Sequence, residues 1–357
     1  MSDIALAGVA ATEQFVLVAD RELDDSVDVF RCLDARTGKE QWAVRYPAPG
    51  HLDYGNSSRA TPLINGDRAF LFGAHGHLRC VELATGRLVW QRNVIKEFGV
   101  TAKMPWGLCG SPLLVDGKLV LNPGGADASI VALDPATGKT LWKTPGEPAS
   151  YGSLIAGTLG GTLQIVGHDK TTLGGWEAAT GKRLWTIAPN RESDFFVPTP
   201  LIDQGRLVVV TESEGVQVFR FQAQGRIVPQ PGAAFDLLKP QTHTPVISGQ
   251  RLFGLTHELI CLDSLSLALV YKAGDPAFGE HSNLFASPER VMICCDNGEL
   301  IVINARSDKF DVLGRMRVFP DERGLLSHAA LVGRTLYMRG SREIVGVDLD
   351  DKSADVH

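Results

Sequence analysis

Aromatic residues are scarce in this chain of 357 residues, at 7%, and no stretch approaches the roughly 18 to 20 apolar residues that a membrane-spanning helix needs. A basic tract is also missing: 35 Lys and Arg face 41 Asp and Glu, for a net charge of −6. That balance argues against tracking a nucleic-acid backbone or an anionic membrane surface. The opening MSDIALAGVAATEQ lacks the basic flank and apolar centre of a signal peptide, so the chain reads as untargeted or as the mature part of an exported protein. No G-x-S-x-G, P-loop or dinucleotide fingerprint occurs, and GTLGGT is only a glycine-rich turn. Long helical periodicity is missing too, because 38 Gly and 19 Pro punctuate the chain too often.

What the chain does have is a repeat. LDARTGKEQW, ending at Trp42, recurs as VELATGRLVW (Trp90), LDPATGKTLW (Trp142) and WEAATGKRLW (Trp185). The spacing varies while the motif stays fixed, which is the mark of constant strands joined by variable loops. Upstream of each motif lies a Ser/Thr-Pro or similar start, an apolar run, a glycine-containing turn and a second apolar run, as in ATPLINGDRAFLFG and GSPLLVDGKLVLN. These runs predict a hairpin, followed by a third strand carrying the xLD element and a fourth holding the Trp, so each unit is a four-stranded antiparallel meander.

Units open near Ala7, Thr61, Ser111, Ser153, Thr199, Thr244, Ser282 and His328. That gives eight units of about 45 residues, the length of a propeller blade. One such sheet cannot bury both its faces, so neighbours must stack. The expected fold is all-β: one eight-bladed β-propeller over 1–357, with Trp docking in blades one to four and looser apolar packing in five to eight. The last blade is expected to be incomplete, its closing strand lost with an upstream segment. Gly38, Gly86, Gly138 and Gly181 supply the positive φ of a turn, and Asp34, Glu82, Asp134 and Glu177 accept hydrogen bonds from turn amides. Each docking Trp is expected to cover the seam to the next blade.

At A-x-D-x-x-T-G-x-x-x-W the chain resembles the pyrroloquinoline-quinone-type (PQQ-like repeat) β-propellers, over essentially its whole length. Two branches of that resemblance imply different functions. The quinoprotein alcohol and glucose dehydrogenases imply a quinone on the propeller axis with Ca²⁺, an Asp base and, in several, a disulfide between adjacent cysteines. The outer-membrane β-barrel assembly lipoprotein implies a propeller that only holds protein partners. Our reading is a non-catalytic scaffold for protein or ligand binding, periplasmic or otherwise exported, with no cofactor expected; a cytoplasmic location stays open. The alternative is a dehydrogenase of alcohols or sugars using PQQ with calcium, and a third reading makes the propeller one module of a longer envelope protein.

Candidate chemistry is thin. Cys294-Cys295 ends an apolar strand and reads as two small strand residues. Cys32, Cys80 and Cys261 share one position, two residues before the Asp/Glu column, where other units place Ala132, Gly175 and Gly346. That column asks for a small side chain. His75 and His77 read as a solvated turn without a third ligand, His257-Glu258 lacks the second His of a zincin, and Asn56-Ser57-Ser58 fits a glycosylation acceptor. The mouth of the central channel is the favoured site, since loops gather there. Its expected lining is Arg59, Cys109, Tyr151, Val197, Thr242-His243, Glu280-His281 and Ser327-His328, either converging on a ligand or capping buried water. Trp106 could stack on a flat ligand or pack its loop. Asp169, beside a His, is the one candidate base for the dehydrogenase reading, with no Asp-Asn-Glu cage assembled around it.

Overall fold

A computed structural model of the protein describes residues 6–189, 195–279, 281–320 and 325–350. Strand pairing follows the repeat: seven four-stranded antiparallel sheets, an eighth of three strands among the described residues, and one two-stranded ribbon. The fold is an all-β propeller built from these sheets. Among the described residues helix is limited to single turns at Val94–Glu97 and Ala223–Gly225. The chain divides into two compact units. One draws on Met1–Asn93, Met104–Ser111 and Leu325–His357, and holds the first, second and eighth sheets; the other draws on Val94–Lys103 and Pro112–Gly324, and holds the third to seventh.

In the first unit, the first sheet runs Ala10–Ala11, Phe15–Arg21, Val27–Asp34 and Glu40–Pro47, and the second Leu63–Asn65, Arg68–Phe72, His77–Glu82 and Leu88–Asn93. Between them, Leu17, Phe30, Leu71 and Val81 form a core, and Trp42 closes its outer end. The Trp42 indole N–H donates to Leu83 O at 2.8 Å. A Cβ on Gly86 would lie 2.7 Å from the Trp42 ring, so the indole rests on the glycine of the next sheet's Thr-Gly turn. In the second unit Trp142 sits on Gly181 in the same way, 2.4 Å from where a Cβ would be.

The small-residue column has its reason in the register. Cys32 faces Trp42, Cys80 faces Trp90, Ala132 faces Trp142, Gly175 faces Trp185 and Cys261 faces Tyr271, each beside a β-bulge. A Cβ on Gly175 would come within 2.2 Å of Trp185, so only a short side chain leaves room for the ring opposite. Acceptor and turn also behave as the motif requires. Asp34 Oδ1 takes the Thr37 N–H at 2.7 Å and Asp134 Oδ1 the Ala136 N–H at 2.7 Å, and the resulting hydrogen bonds hold the Asp34 carboxyl below its ordinary pKa.

The sixth sheet keeps this turn without its Trp and Gly. Asp263 Oδ1 accepts from the Leu265 and Ser266 amides, and the Leu267 N–H donates to Asp263 O at 2.9 Å, as Gly38 does to Asp34. Leu267 therefore stands in the glycine seat at φ 58 and is buried at 3% exposure among Val218, Leu262 and Phe235. The fifth sheet brings no Trp to this seam, and leucine fills the space itself.

The Ser/Thr of the Ser/Thr-Pro start has a structural duty that the sequence did not disclose. Thr61 N–H donates to Ser111 Oγ at 3.0 Å, Ser153 N–H to Thr199 Oγ1 at 3.3 Å and Thr199 N–H to Thr244 Oγ1 at 2.9 Å. The last two bonds each join, within the second unit, the approach to one sheet's first strand to that of the next. Between the eighth and first sheets the link is Val9 N–H to His328 O at 2.8 Å.

Charges are also buried in the first unit. Asp20, fully buried, accepts from Arg31 Nε at 2.8 Å and from Arg339 Nη2 at 3.2 Å, while Arg21 gives Nη1 to Asp28 at 2.5 Å and Nη2 to Ala48 O at 2.8 Å. Burial raises the Asp28 carboxyl to about 6, outweighing the nearby Arg21 guanidinium.

Candidate functional site

Arg59 and Trp106 lie in two hydrogen-bonded loops of the first unit. Two loops flank the second sheet, one before its first strand and one after its last. Arg59 staples the earlier loop, donating to Asp53 O and Gly55 O at 2.8 Å each and to Ser57 O. The Asp53 N–H then reaches Pro105 O in the later loop at 2.8 Å, and Leu108 N–H anchors that loop to Ala74 O at 3.0 Å. Gly107 makes the close approach possible, since a Cβ there would lie 2.7 Å from Ala74 O at φ 70. The product is an aromatic pair, with Tyr54 edge-on to Trp106 at a centroid distance of 6.0 Å. Tyr54 is 74% exposed and holds φ 62, an unusual conformation for a tyrosine. The sequence reading missed Tyr54, whose importance depends on this backbone placement.

The remaining candidates have other surroundings. His328, in the same unit, is exposed and contributes its carbonyl to the Val9 link. In the second unit, Tyr151 packs on Phe195 at 6.2 Å. His243 is buried and its Nε2 accepts the Leu255 N–H at 2.9 Å, which places a neutral ring's proton on Nδ1. His281 Nδ1 lies 3.1 Å from Thr242 Oγ1, joining two members of the expected lining. Glu280 lies outside the described residues. Cys109 directs its thiol to the Trp106 and Gly107 carbonyls at 3.6 Å.

Asp169 is committed to its own turn. It is fully buried and accepts from the Thr171 N–H at 3.1 Å, the Thr172 N–H at 2.7 Å and Arg183 Nη1 at 3.1 Å. The neighbouring His168 stacks on Phe196 at 4.4 Å with a 7° interplanar angle, and burial drives its pKa down to about 3. A carboxylate held by Arg183 beside a histidine kept neutral is a turn-forming arrangement.

Two readings of the turns need correction. His75 and His77 are half-buried rather than solvated: the His77 ring lies 5.1 Å from that of Tyr46, and His75 fills the space beside Gly50. Asn56 is buried and donates to Asp25, so its amide is not presented as a glycan acceptor.

The donor set does not fit quinone with calcium. Among the described residues no three His, Cys, Asp or Glu side chains are grouped to hold a metal ion, and the Asp169 oxygens are already engaged. Cys294 and Cys295 are buried free thiols, and burial pushes Cys295 up to about 12, with Cys32 also at about 12. Such thiols are poor nucleophiles at neutral pH.

The repeat sequence matches a known family model. The model described as outer membrane protein assembly factor BamB covers residues 5–122 and 126–230. The chain belongs to that family. A BamB from Burkholderia pseudomallei is 27% identical over 256 residues, covering 68% of this chain and 59% of the relative. The dehydrogenase subunit of a quinone-dependent alcohol dehydrogenase from Gluconobacter oxydans is 31% identical over 122 residues, or 32% of this chain and 16% of that protein. The chain thus spans less than two thirds of either relative. Among solved structures, a quinohemoprotein alcohol dehydrogenase from Pseudomonas putida shares the fold, with a TM-score of 0.58 at 12% identity over 94% of this chain and 72% of that one. The protein is a BamB-like propeller. No helix among the described residues is long and apolar enough to cross a membrane.

Proposed function

We propose that this propeller is a non-catalytic scaffold that holds protein partners in the bacterial envelope. The observation that carries the reading is the Tyr54–Trp106 pair, an exposed tyrosine edge-on to a half-buried tryptophan, on loops fixed by Arg59. Aromatic side chains held in place before binding bury large area at little entropic cost, and Tyr, Trp and Arg dominate binding hot spots. Membership of the BamB family supports both the partner class and the location. The dehydrogenase alternative has short stretches of sequence likeness in its favour and the engaged Asp169 against it.

The test is chemical cross-linking of the tagged full chain in cells, comparing wild type with a Tyr54→Asn, Trp106→Ala double variant. Partner adducts recovered with wild type and lost with the double variant support the reading. Equal recovery from both overturns the assignment to this surface. Calcium-dependent, saturable one-to-one binding of pyrroloquinoline quinone in a calorimeter would favour the dehydrogenase instead.

A further inference from the structure

Three loops of the first unit form one hydrogen-bonded layer. The turn at 22–26 joins the first sheet's second and third strands, the loop at 48–60 leads into the second sheet, and the loop at 104–108 lies beyond that sheet's last strand. Ala48 N–H donates to Ser26 O at 2.8 Å, Arg21 Nη2 donates to Ala48 O at 2.8 Å, and Asn56 gives its side-chain amide to Asp25. The first two loops are thereby tied at three points, and the Asp53 N–H on Pro105 O joins the third.

Two large side chains stand out from this layer. Leu23 is 90% exposed and Tyr54 74%, and the half-buried Trp106 lies edge-on beside the tyrosine. Left-handed backbone holds both tips, Asp25 at φ 57 and Tyr54 at φ 62. Burial returns nothing for the strain at Tyr54, and strain kept at an exposed residue points to recognition. The charge that this layer shows to solvent is negative. Asp24 and Asp53 are exposed, and among the described residues neither carboxylate meets a cation; Asp24 accepts only the Ser26 N–H at 3.1 Å. Glu22 is matched by Arg45 at 3.1 Å. The Asp25 side chain is 52% exposed, whereas that of Arg21, which binds it, is 3% exposed and lies underneath. Arg59 turns its Nη groups onto carbonyls of its own loop. Such a surface repels an anionic lipid or nucleic acid and complements a cationic partner.

We propose that this three-loop platform docks a basic, apolar segment of a partner protein. An apolar side chain of that segment seats against Leu23 and Tyr54, and lysines or arginines beside it face Asp24 and Asp53. Apolar contact supplies the anchor, and the carboxylates select against acidic segments. The aromatic rings reinforce the same preference, because a cation placed over a Tyr or Trp face is attracted to it. The proposal rests on the scaffold reading and adds to it the chemistry of the partner.

The probes are two synthetic peptides, KLKFKLK and its acidic counterpart ELEFELE, titrated calorimetrically into the full chain at low salt. Saturable one-to-one binding of the basic peptide is expected, tighter than that of the acidic one by about tenfold or more. Asp24→Asn with Asp53→Asn should weaken it by about tenfold or more, and so should Leu23→Ser with Tyr54→Asn. All four side chains are exposed, and asparagine suits the left-handed seat of Tyr54, so these variants keep the fold. Asp127→Asn with Glu258→Gln removes two exposed acids of the second unit and should leave binding unchanged, which separates docking from attraction to the net charge. Equal binding of the two peptides, no binding of either at millimolar concentration, or equal losses in the platform and control variants overturns the proposal. Cross-linked partners that vanish in the Tyr54, Trp106 double variant but persist in the Asp24, Asp53 double variant refute the basic partner and leave the scaffold reading standing. Persistence in both variants removes the scaffold's assignment to this surface, and the proposal falls with it.

Discussion

The backbone N–H of Thr199 donates to the side-chain hydroxyl of Thr244 at 2.9 Å, joining two sheets whose first strands start 45 residues apart. The fifth and sixth sheets are thereby linked by a polar bond at the end away from their docking turns. Thr244→Val keeps the shape and removes the acceptor, leaving the Thr199 amide unpaired at a cost of about 1–2 kcal/mol. Thr244→Ser should retain most of the stability. Urea midpoints of the two variants provide the comparison.

Gly86 and Gly38 have nearly the same backbone, at φ 70 and φ 68, and opposite surroundings. Alanine at either position bears the left-handed conformational cost of about 1–2 kcal/mol. Only Gly86→Ala also drives a methyl into Trp42, adding about 1–3 kcal/mol of overpacking. Thermal unfolding should therefore rank Gly86→Ala well below Gly38→Ala. Equal losses would show that the indole does not rest on Gly86.

At Leu267 two effects oppose each other. Leu267→Gly relieves the positive φ, worth about 1–2 kcal/mol, and empties a buried leucine site, which costs about 2–5 kcal/mol. The expected net result is a loss of about 1–3 kcal/mol, read by denaturant unfolding. A stabilised Leu267→Gly would mean that its side chain does not fill the seam.

His168 makes stability fall in acid. Its folded pKa, about 3, lies below the ordinary 6.5, so the unfolded chain takes up the proton first. The contribution is complete above about 6.5 and drains away as pH falls towards 3. At pH 4.5 that loss amounts to about 2–3 kcal/mol. Asp28 acts in the opposite sense, its raised pKa of about 6 favouring the fold as pH falls towards the ordinary 3.8. Because Asp28 is common to both proteins, the wild type should lose about 2–3 kcal/mol more than His168→Leu between pH 7 and 4.5 in urea titrations.

Local chemistry was readable in the sequence, and contacts between distant residues were not. Asp34, Gly38 and Trp42 lie within one turn and its strand, so spacing alone revealed an acceptor, a positive φ and a large apolar ring. The Thr199–Thr244 bond crosses 45 residues and the Asp20–Arg339 bond 319, distances over which no local pattern operates. Leu267 was invisible for another reason: leucine ordinarily argues against the left-handed seat, and only the missing neighbour Trp explains it. At the candidate site, Arg59 and Trp106 were legible as polar and aromatic loop residues. Tyr54 was missed because its exposure follows from backbone torsion, and Asp169 attracted attention as a carboxylate although its oxygens serve a turn.

The Arg339–Asp20 pair bears on how a chain of near-identical repeats finds its proper neighbours. Apolar seams between similar sheets are chemically alike, so a folding chain can stack the wrong pair and still bury much of its surface. A buried guanidinium gives no such latitude, because docked on any sheet lacking an aspartate at that depth it would be stranded without a counter-charge. Asp20 and Arg339 therefore act as a matched lock and key between the first and eighth sheets, making a mis-stacked arrangement costlier than the correct one.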